Sequence, residues 1–244
     1  MRPIEEPVLT AELIRSRFAA LDDRLRATAV TNGREPDGFR IVAVTKEFDE
    51  AVVRAAWAAG LRSFGENRLQ EALPKVAALP DADWHLIGRL QSNKVRPALG
   101  AFATIHSVDS LDLLRRIERI AHDDGRHPRL LLEVNLTGEP GKAGFDAAWF
   151  AAEARRPGEL VAALSQLRHA SMVGLMTMGR AGAPESEARQ TFTQLRELRD
   201  ELQRTAGQVL PELSMGMTAD AEAAVAEGAT LVRIGTAIFG ARHA

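Results

Sequence analysis

From Arg40 onward the chain alternates between two hydrophobic patterns: short unbroken apolar runs, and longer stretches whose apolar residues recur at every third or fourth position. The short runs lie at 41–45, 62–65, 84–88, 104–108, 130–136, 172–176, 212–215 and 231–234, eight in all. They are apolar along their length and so predict strands buried on both faces. Helical patterns fall between them. One spans 49–59 ahead of Gly60; another places Leu111, Leu114, Ile117 and Ile120 behind the cap-like pair Asp109-Ser110. A third aligns Phe192, Leu195, Leu198 and Leu202 on one stripe, with Arg196, Glu197, Arg199 and Asp200 opposite. Before the first strand, Leu9, Leu13, Ile14, Phe18, Leu21 and Leu25 fall on one side of a further helix.

Strands buried on both faces and alternating with helices predict an α/β fold with a parallel sheet, because each crossover lays a helix over the sheet. Eight units in 244 residues favour a closed (β/α)8, TIM-type barrel over an open doubly wound sheet. The expected organisation is one barrel domain over 1–244, with 1–39 as an N-terminal helical extension packed on the barrel. The segments 137–144 (TGEPGKAG) and 180–186 (RAGAPES) are expected to be irregular loops on the functional face.

Composition narrows the partners. With 31 basic against 33 acidic side chains and a net charge of −2, nothing calls for nucleic acid or an anionic membrane. The absence of cysteine excludes disulfides, thiolate metal sites and cysteine nucleophiles. MRPIEEPVLT contains no apolar signal core, and no run of about 18 apolar residues occurs, so a cytoplasmic protein is expected.

In such a barrel the active site lies at the carboxyl ends of the strands. The residues closing the apolar runs form a polar ring there: Lys46, Glu66-Asn67, Arg89, Ser107 with Asp109, Asn135 with Thr137, Met176-Thr177-Met178, Ser214 and Gly235-Thr236. Asn67, Ser107 and Asp109 are equally readable as helix caps, and His85 and His106 as satisfied core histidines. Lys46, at the end of IVAVTKEF, is either a solvated charge or a chemical group.

The far end of the chain bears on that choice. SMGMT at 214–218 leads into a short helix at about 219–227, and LVRI ends in GTAIFG. Loops after the seventh and eighth barrel strands that are rich in Gly, Ser and Thr commonly hold a phosphate. Ser214 and Met215 open this segment and the Gly235-Thr236 turn closes it; the alternative is that the glycines serve turns and Met215 and Met217 fill core. Asp220 and Glu222 weakly oppose an anion there. Arg233 lies inside an apolar strand and needs an acceptor. One lysine, a phosphate cradle and an inward arginine suit a phosphorylated aldehyde on a flat heterocycle, pyridoxal 5′-phosphate (PLP). The lysine would form a Schiff base, the cradle would take the phosphate and the arginine would face the ring nitrogen.

At these residues the chain resembles the pyridoxal phosphate homeostasis proteins, which share the barrel of alanine racemase. The matching segments are VAVTK (42–46), FGENRLQEA (64–72), WHLIGRLQSNK (84–94), HSVDS (106–110), LEVNLTGEPGKAGF (132–145), GLMTMG (174–179), SMGMTAD (214–220) and VRIGTAIFG (232–240). The resemblance implies Lys46 as the internal aldimine lysine, Ser214 with Gly235-Thr236 at the phosphate, Arg233 near the pyridine nitrogen and Asn67 as a neighbour of the ring. Arg68-Leu69 and Arg89 depart from the family pattern.

An arginine cannot hand its proton to the pyridine, so the ring stays neutral and is a weaker electron sink than a pyridinium. Two-base racemisation needs a second base opposite the lysine. The resembled racemases use a tyrosine, and this chain has none. His85, Asp109 or a water would have to substitute. The expectation is therefore a PLP-binding protein that holds and buffers the cofactor rather than turning over substrate. Delivery to apo PLP-dependent enzymes is implied by the resemblance alone. A weak amino-acid racemase is the alternative, and a third reading has Lys46 form a Schiff base with a sugar phosphate. A monomer is expected. Lys75, Lys94 and Lys142 are expected to be exposed, and the sequence does not say whether any of them binds a second, transient PLP.

Overall fold

The computed structural model describes residues 9–139 and 141–240. Residues 1–8 of the expected N-terminal extension lie outside the described residues. Among the described residues nine parallel strands occur: β1 (Arg40–Val44), β2 (Ser63–Glu66), β3 (Asp83–Leu86), β4 (Thr104–Val108), β5 (Arg129–Asn135), β6 (Phe145–Asp146), β7 (Ser171–Met176), β8 (Glu212–Ser214) and β9 (Leu231–Ile234). All but β6 close into a barrel, in which each strand pairs with the next, β5 with β7, and β9 with β1. The closed eight-stranded parallel barrel is the architecture expected from the apolar runs, with boundaries that agree to within two residues.

The unforeseen strand is β6. It pairs Val134 with Phe145 and Asn135 with Asp146, beyond the point where β5 pairs with β7. Two residues are too few to leave a hydrophobic period, so the sequence pattern could not mark them. Their effect is to pin the returning end of the 137–144 loop to the rim.

Among the described residues ten α-helices surround the barrel: α1 (Ala11–Thr31), α2 (Glu50–Ala58), α3 (Leu69–Ala78), α4 (Val95–Ala101), α5 (Leu111–Asp124), α6 (Ala147–Arg155), α7 (Glu159–Ser165), α8 (Glu185–Ala206), α9 (Ala221–Ala226) and α10 (Thr236–Phe239). Short polar side chains cap the starts of α1, α2, α5 and α6. Asp49 accepts the Val52 N–H at 3.0 Å, and Ser110 accepts that of Leu113 at 3.3 Å, each occupying an N–H that the helix leaves unpaired. The stripe of α1 buries Ile14, Leu21, Leu25 and Ala29, and the helix packs against α2, α9 and α10. Arg15 donates to the Ala58 and Ala59 carbonyls and Arg17 to that of Ile238, so α1 joins the beginning of the barrel to its end.

The main apolar core lies between strands and helices, and a smaller one fills the barrel interior with Val42, Leu131, Met176 and Leu231. At the amino ends of the strands, Arg40 and Arg129 both donate to Glu212, at 2.5 and 2.6 Å. Strands alternate their faces. The interior column therefore rises from this charged base, through apolar side chains and two buried histidines, to a polar mouth.

Candidate functional site

Lys46 follows β1 in a tight turn closed by a bond from Phe48 N–H to the Thr45 carbonyl at 3.1 Å. The next residue, Glu47, has φ +67°, the one positive φ outside glycine among the described residues. A left-handed glutamate is uncommon, and it marks a turn imposed by its surroundings. Those surroundings include a buried ion pair. Glu66 Oε1 accepts from Lys75 Nζ at 2.8 Å and from Thr45 Oγ1 at 2.6 Å, while Lys75 Nζ also donates to the Thr45 carbonyl at 2.8 Å. Lys75 is thus buried, with 5% exposure, and the expectation of an exposed lysine is corrected. It lies on the face of α3 turned toward the ends of β1 and β2, where its ammonium finds a carboxylate and a carbonyl. Burial pushes the Glu66 carboxyl up against the downward pull of Lys75 and Thr45.

A cavity of about 450 Å³ opens at the carboxyl ends of the strands. Lys46, Asn67, Arg233, Gly235 and Thr236 all line it, so five of the expected site residues come together. Gly88 permits the approach of Asn67, since a Cβ at that position would overlap the Asn67 backbone. Asn67 does not cap α3, which starts after Arg68 without a side-chain bond. Ser107 caps nothing either: its hydroxyl donates to the Gly88 carbonyl at 2.7 Å. Asp109 leaves the capping of α5 to Ser110 and pairs with Arg89 at 3.3 Å on the rim.

Ser214 and Met215 do not line the cavity; both are fully buried. Ser214 faces the barrel interior one layer below the mouth, where its oxygen lies 2.6 Å from Arg233 Nη1 and 2.8 Å from His106 Nδ1. Met215 packs in the main core. The same loop instead presents Met217, Thr218 and Ala219 to the cavity. Gly216, at φ +91°, makes the turn, and a Cβ there would overlap Ala224. The acidic residues expected to oppose an anion are engaged: Asp220 accepts the Met217 N–H at 2.6 Å, and Glu222 pairs with Arg24 at 2.6 Å.

Arg233 is 5% exposed and donates to Ser214 and to the Thr177 carbonyl. Burial pulls its guanidinium down to about 10, with Asp220 and Glu133 pulling it back up, and it remains charged at neutral pH. Glu133 is a titratable cavity residue the sequence reading missed. It sits in the run LLLEVN on the same strand face as Leu131, and that parity was the available signal. Burial pushes its carboxyl up to about 7, against the attraction of Arg233.

The family described as alanine racemase, N-terminal domain, matches residues 20–243. A pyridoxal phosphate homeostasis protein of Pseudomonas aeruginosa is 43% identical over 232 residues, covering 94% of this chain and 96% of its own. That of Aquifex aeolicus is 39% identical over 228 residues, 93% of this chain and 97% of its own. This chain belongs to the pyridoxal phosphate homeostasis protein family. Among solved structures, PipY of Synechococcus elongatus with PLP bound superposes with a TM-score of 0.79 at 44% identity, covering 93% of this chain and all of PipY.

Within this family member, the two departures from the expected motifs lie away from the cavity floor. Arg68 pairs with Glu71 at 3.0 Å on the surface, and Arg89 reaches the rim. Among the described residues no cluster of His, Cys, Asp or Glu is placed to hold a metal, and no helix is long and apolar enough to cross a membrane.

Proposed function

We propose that this chain binds PLP in the cavity at the carboxyl end of the barrel and acts in PLP homeostasis by holding the cofactor on Lys46. The observation that carries the reading is the convergence of one lysine, one buried guanidinium and a Thr- and Gly-lined loop pair on a single cavity of about 450 Å³, a volume suited to a small organic ligand. When bound, the cofactor supplies a reactive aldehyde that a lysine amine captures reversibly as a Schiff base, with loss of water.

The residues divide the work. Lys46 supplies the amine, and the Lys75–Glu66 pair fixes the backbone from which it projects. Thr218 and Thr236 offer hydroxyls, and Gly235 a close backbone approach, to a phosphate; Ser214 contributes indirectly by holding Arg233. Arg233 would present a permanent donor to the ring nitrogen, and Asn67 would flank the ring. Reversible capture makes the protein a buffer of free PLP, and release from the open mouth allows delivery to apo-enzymes. A monomer suffices for this, since the groups that would meet the cofactor lie together on one cavity of a single chain.

His85 is fully buried and Asp109 is paired with Arg89, so neither stands ready as a second base. One observation favours the racemase as a second reading: Glu133 lines the cavity with its carboxyl raised to about 7, within the range of a general acid or base.

The test is the visible spectrum of the protein loaded with PLP beside Lys46→Ala, before and after borohydride, with peptide mapping of the reduced adduct. A Schiff-base band in the wild type, absent from the variant, with the adduct at Lys46, is the expected result. A wild type that acquires no band sinks the proposal. The same preparation incubated with one enantiomer of an amino acid distinguishes holding from racemisation.

A further inference from the structure

Beneath the cavity a chain of buried polar groups crosses the barrel interior. At its upper end Arg233 Nη1 lies 2.6 Å from Ser214 Oγ. Ser214 Oγ is 2.8 Å from His106 Nδ1, His106 Nε2 is 2.8 Å from His85 Nδ1, and His85 Nε2 is 2.8 Å from Asp83 Oδ2. The five residues come from β9, β8, β4 and β3, and Ser214, His106 and His85 are fully buried. Asp83 begins β3 at the amino-end face, where its side chain is about one-third exposed.

Every hydrogen in this chain can be assigned. A guanidinium only donates, so the Ser214 oxygen accepts from Arg233 and its own hydrogen goes to His106 Nδ1. His106 must then carry its proton on Nε2 and donate to His85 Nδ1, and His85 donates from Nε2 to the Asp83 carboxylate. Burial works against ionisation of Asp83, but the bond from His85, the attraction of nearby groups including Arg40 and the bond from Ser63 together outweigh it and hold the carboxyl below its usual range. The opposite arrangement begins with an imidazolium at His85. It would leave the Ser214 hydrogen without an acceptor and put a second buried cation near Arg233. Burial also drives His106 well below the usual histidine range, with His85 and Arg233 adding to the effect.

We propose that Ser214, His106 and His85 are positioning residues for Arg233. They form a one-way chain of neutral groups, anchored on Asp83 at the opposite face of the barrel, which sets the guanidinium plane and so the N–H that it offers to an acceptor in the cavity. Ser214 thereby has a role different from a direct phosphate contact. The geometry of the chain is independent of the PLP reading, and only the last arm of the test rests on it.

Long-range proton–nitrogen NMR of protein carrying isotope-labelled histidine, without added cofactor, reads each imidazole tautomer. Both His85 and His106 are expected as the Nε2–H tautomer at neutral pH, as the hydrogen-bond geometry requires. An imidazolium or an Nδ1–H tautomer at His106 there overturns the chain. Ser214→Ala is then compared with Ser214→Thr, which keeps the hydroxyl. The Ala variant should shift the His106 nitrogens and average the Arg233 guanidinium signals that two fixed bonds keep distinct, while Thr preserves both. Unchanged Arg233 signals in the Ala variant overturn the positioning role. In the loaded protein, Ser214→Ala should move the absorption band and weaken PLP binding by about tenfold, with Thr close to wild type. A wild type that takes up no PLP would defeat the cavity reading, and the nitrogen spectra would still decide the chain.

Discussion

The two sides of the cavity are supported from below by buried polar groups of opposite kinds. Beneath Lys46 lies an ion pair, with Lys75 holding the Thr45 carbonyl and the Glu66 carboxylate. Beneath Arg233 lies a chain of groups that are neutral until Asp83. The difference follows from what each must fix. A strand end needs its backbone held in place, and a charge reaching over from α3 does so with little demand on direction. A guanidinium needs its plane set, which takes hydrogen bonds whose donors and acceptors are all assigned. Lys75 reaches its partners from a helix outside the barrel, whereas the chain under Arg233 is built wholly from strand residues facing inward.

The comparison breaks most visibly at the ion pair. Glu66→Ala leaves the Lys75 ammonium buried without its carboxylate and should cost about 3–5 kcal/mol in urea unfolding. The double replacement Glu66→Leu with Lys75→Met should recover much of that loss, because it removes both charges together. A single-variant loss below about 1 kcal/mol would mean that the pair does not support the strand end.

Glu133, on a wall with neither device, gives the next largest effect. Its carboxyl is raised from 4.5 to about 7 by burial, so across that interval the folded protein keeps a proton that the unfolded chain releases. Its contribution is therefore fully present below about 4.5 and is lost as pH rises through about 7, by roughly 3 kcal/mol at most. Glu133→Gln should flatten that slope, and denaturation curves across the interval would check it. Ser214→Ala should be the mildest, at about 1–3 kcal/mol, since it leaves neutral or externally held groups unsatisfied rather than a stranded charge. A cost equal to that of Glu66→Ala would erase the distinction between the two supports.

The barrel was legible because strands buried on both faces write unbroken apolar runs, and because Lys46, Asn67, Arg233, Gly235 and Thr236 sit at or near the ends of those runs. Ser214 also closes a run, and position along the chain could not tell rim from interior. What separates them is the pleat and the stagger of neighbouring strands, which turn Ser214 into the layer below and leave Thr218 to reach the mouth. Lys75 misled for a related reason. A lysine on a surface helix reads as solvated until the helix is placed over strand ends that offer it a carboxylate. Glu133 was hidden by its apolar neighbours, although alternation from Leu131 pointed it inward.

The stripe of α1 lies against α9 and α10, and β1 hydrogen-bonds β9 along its length. The first described segments of the chain therefore have partners among the last described ones. On the ribosome, an amphipathic helix and one open strand edge emerge long before the residues that cover them, and both are features that invite aggregation or chaperone binding. Barrel closure must wait until β9 has been made. The seam between the first strand and the last joins the most distant strands of the barrel, and its formation carries the largest loop-closure entropy of any strand pairing in the fold.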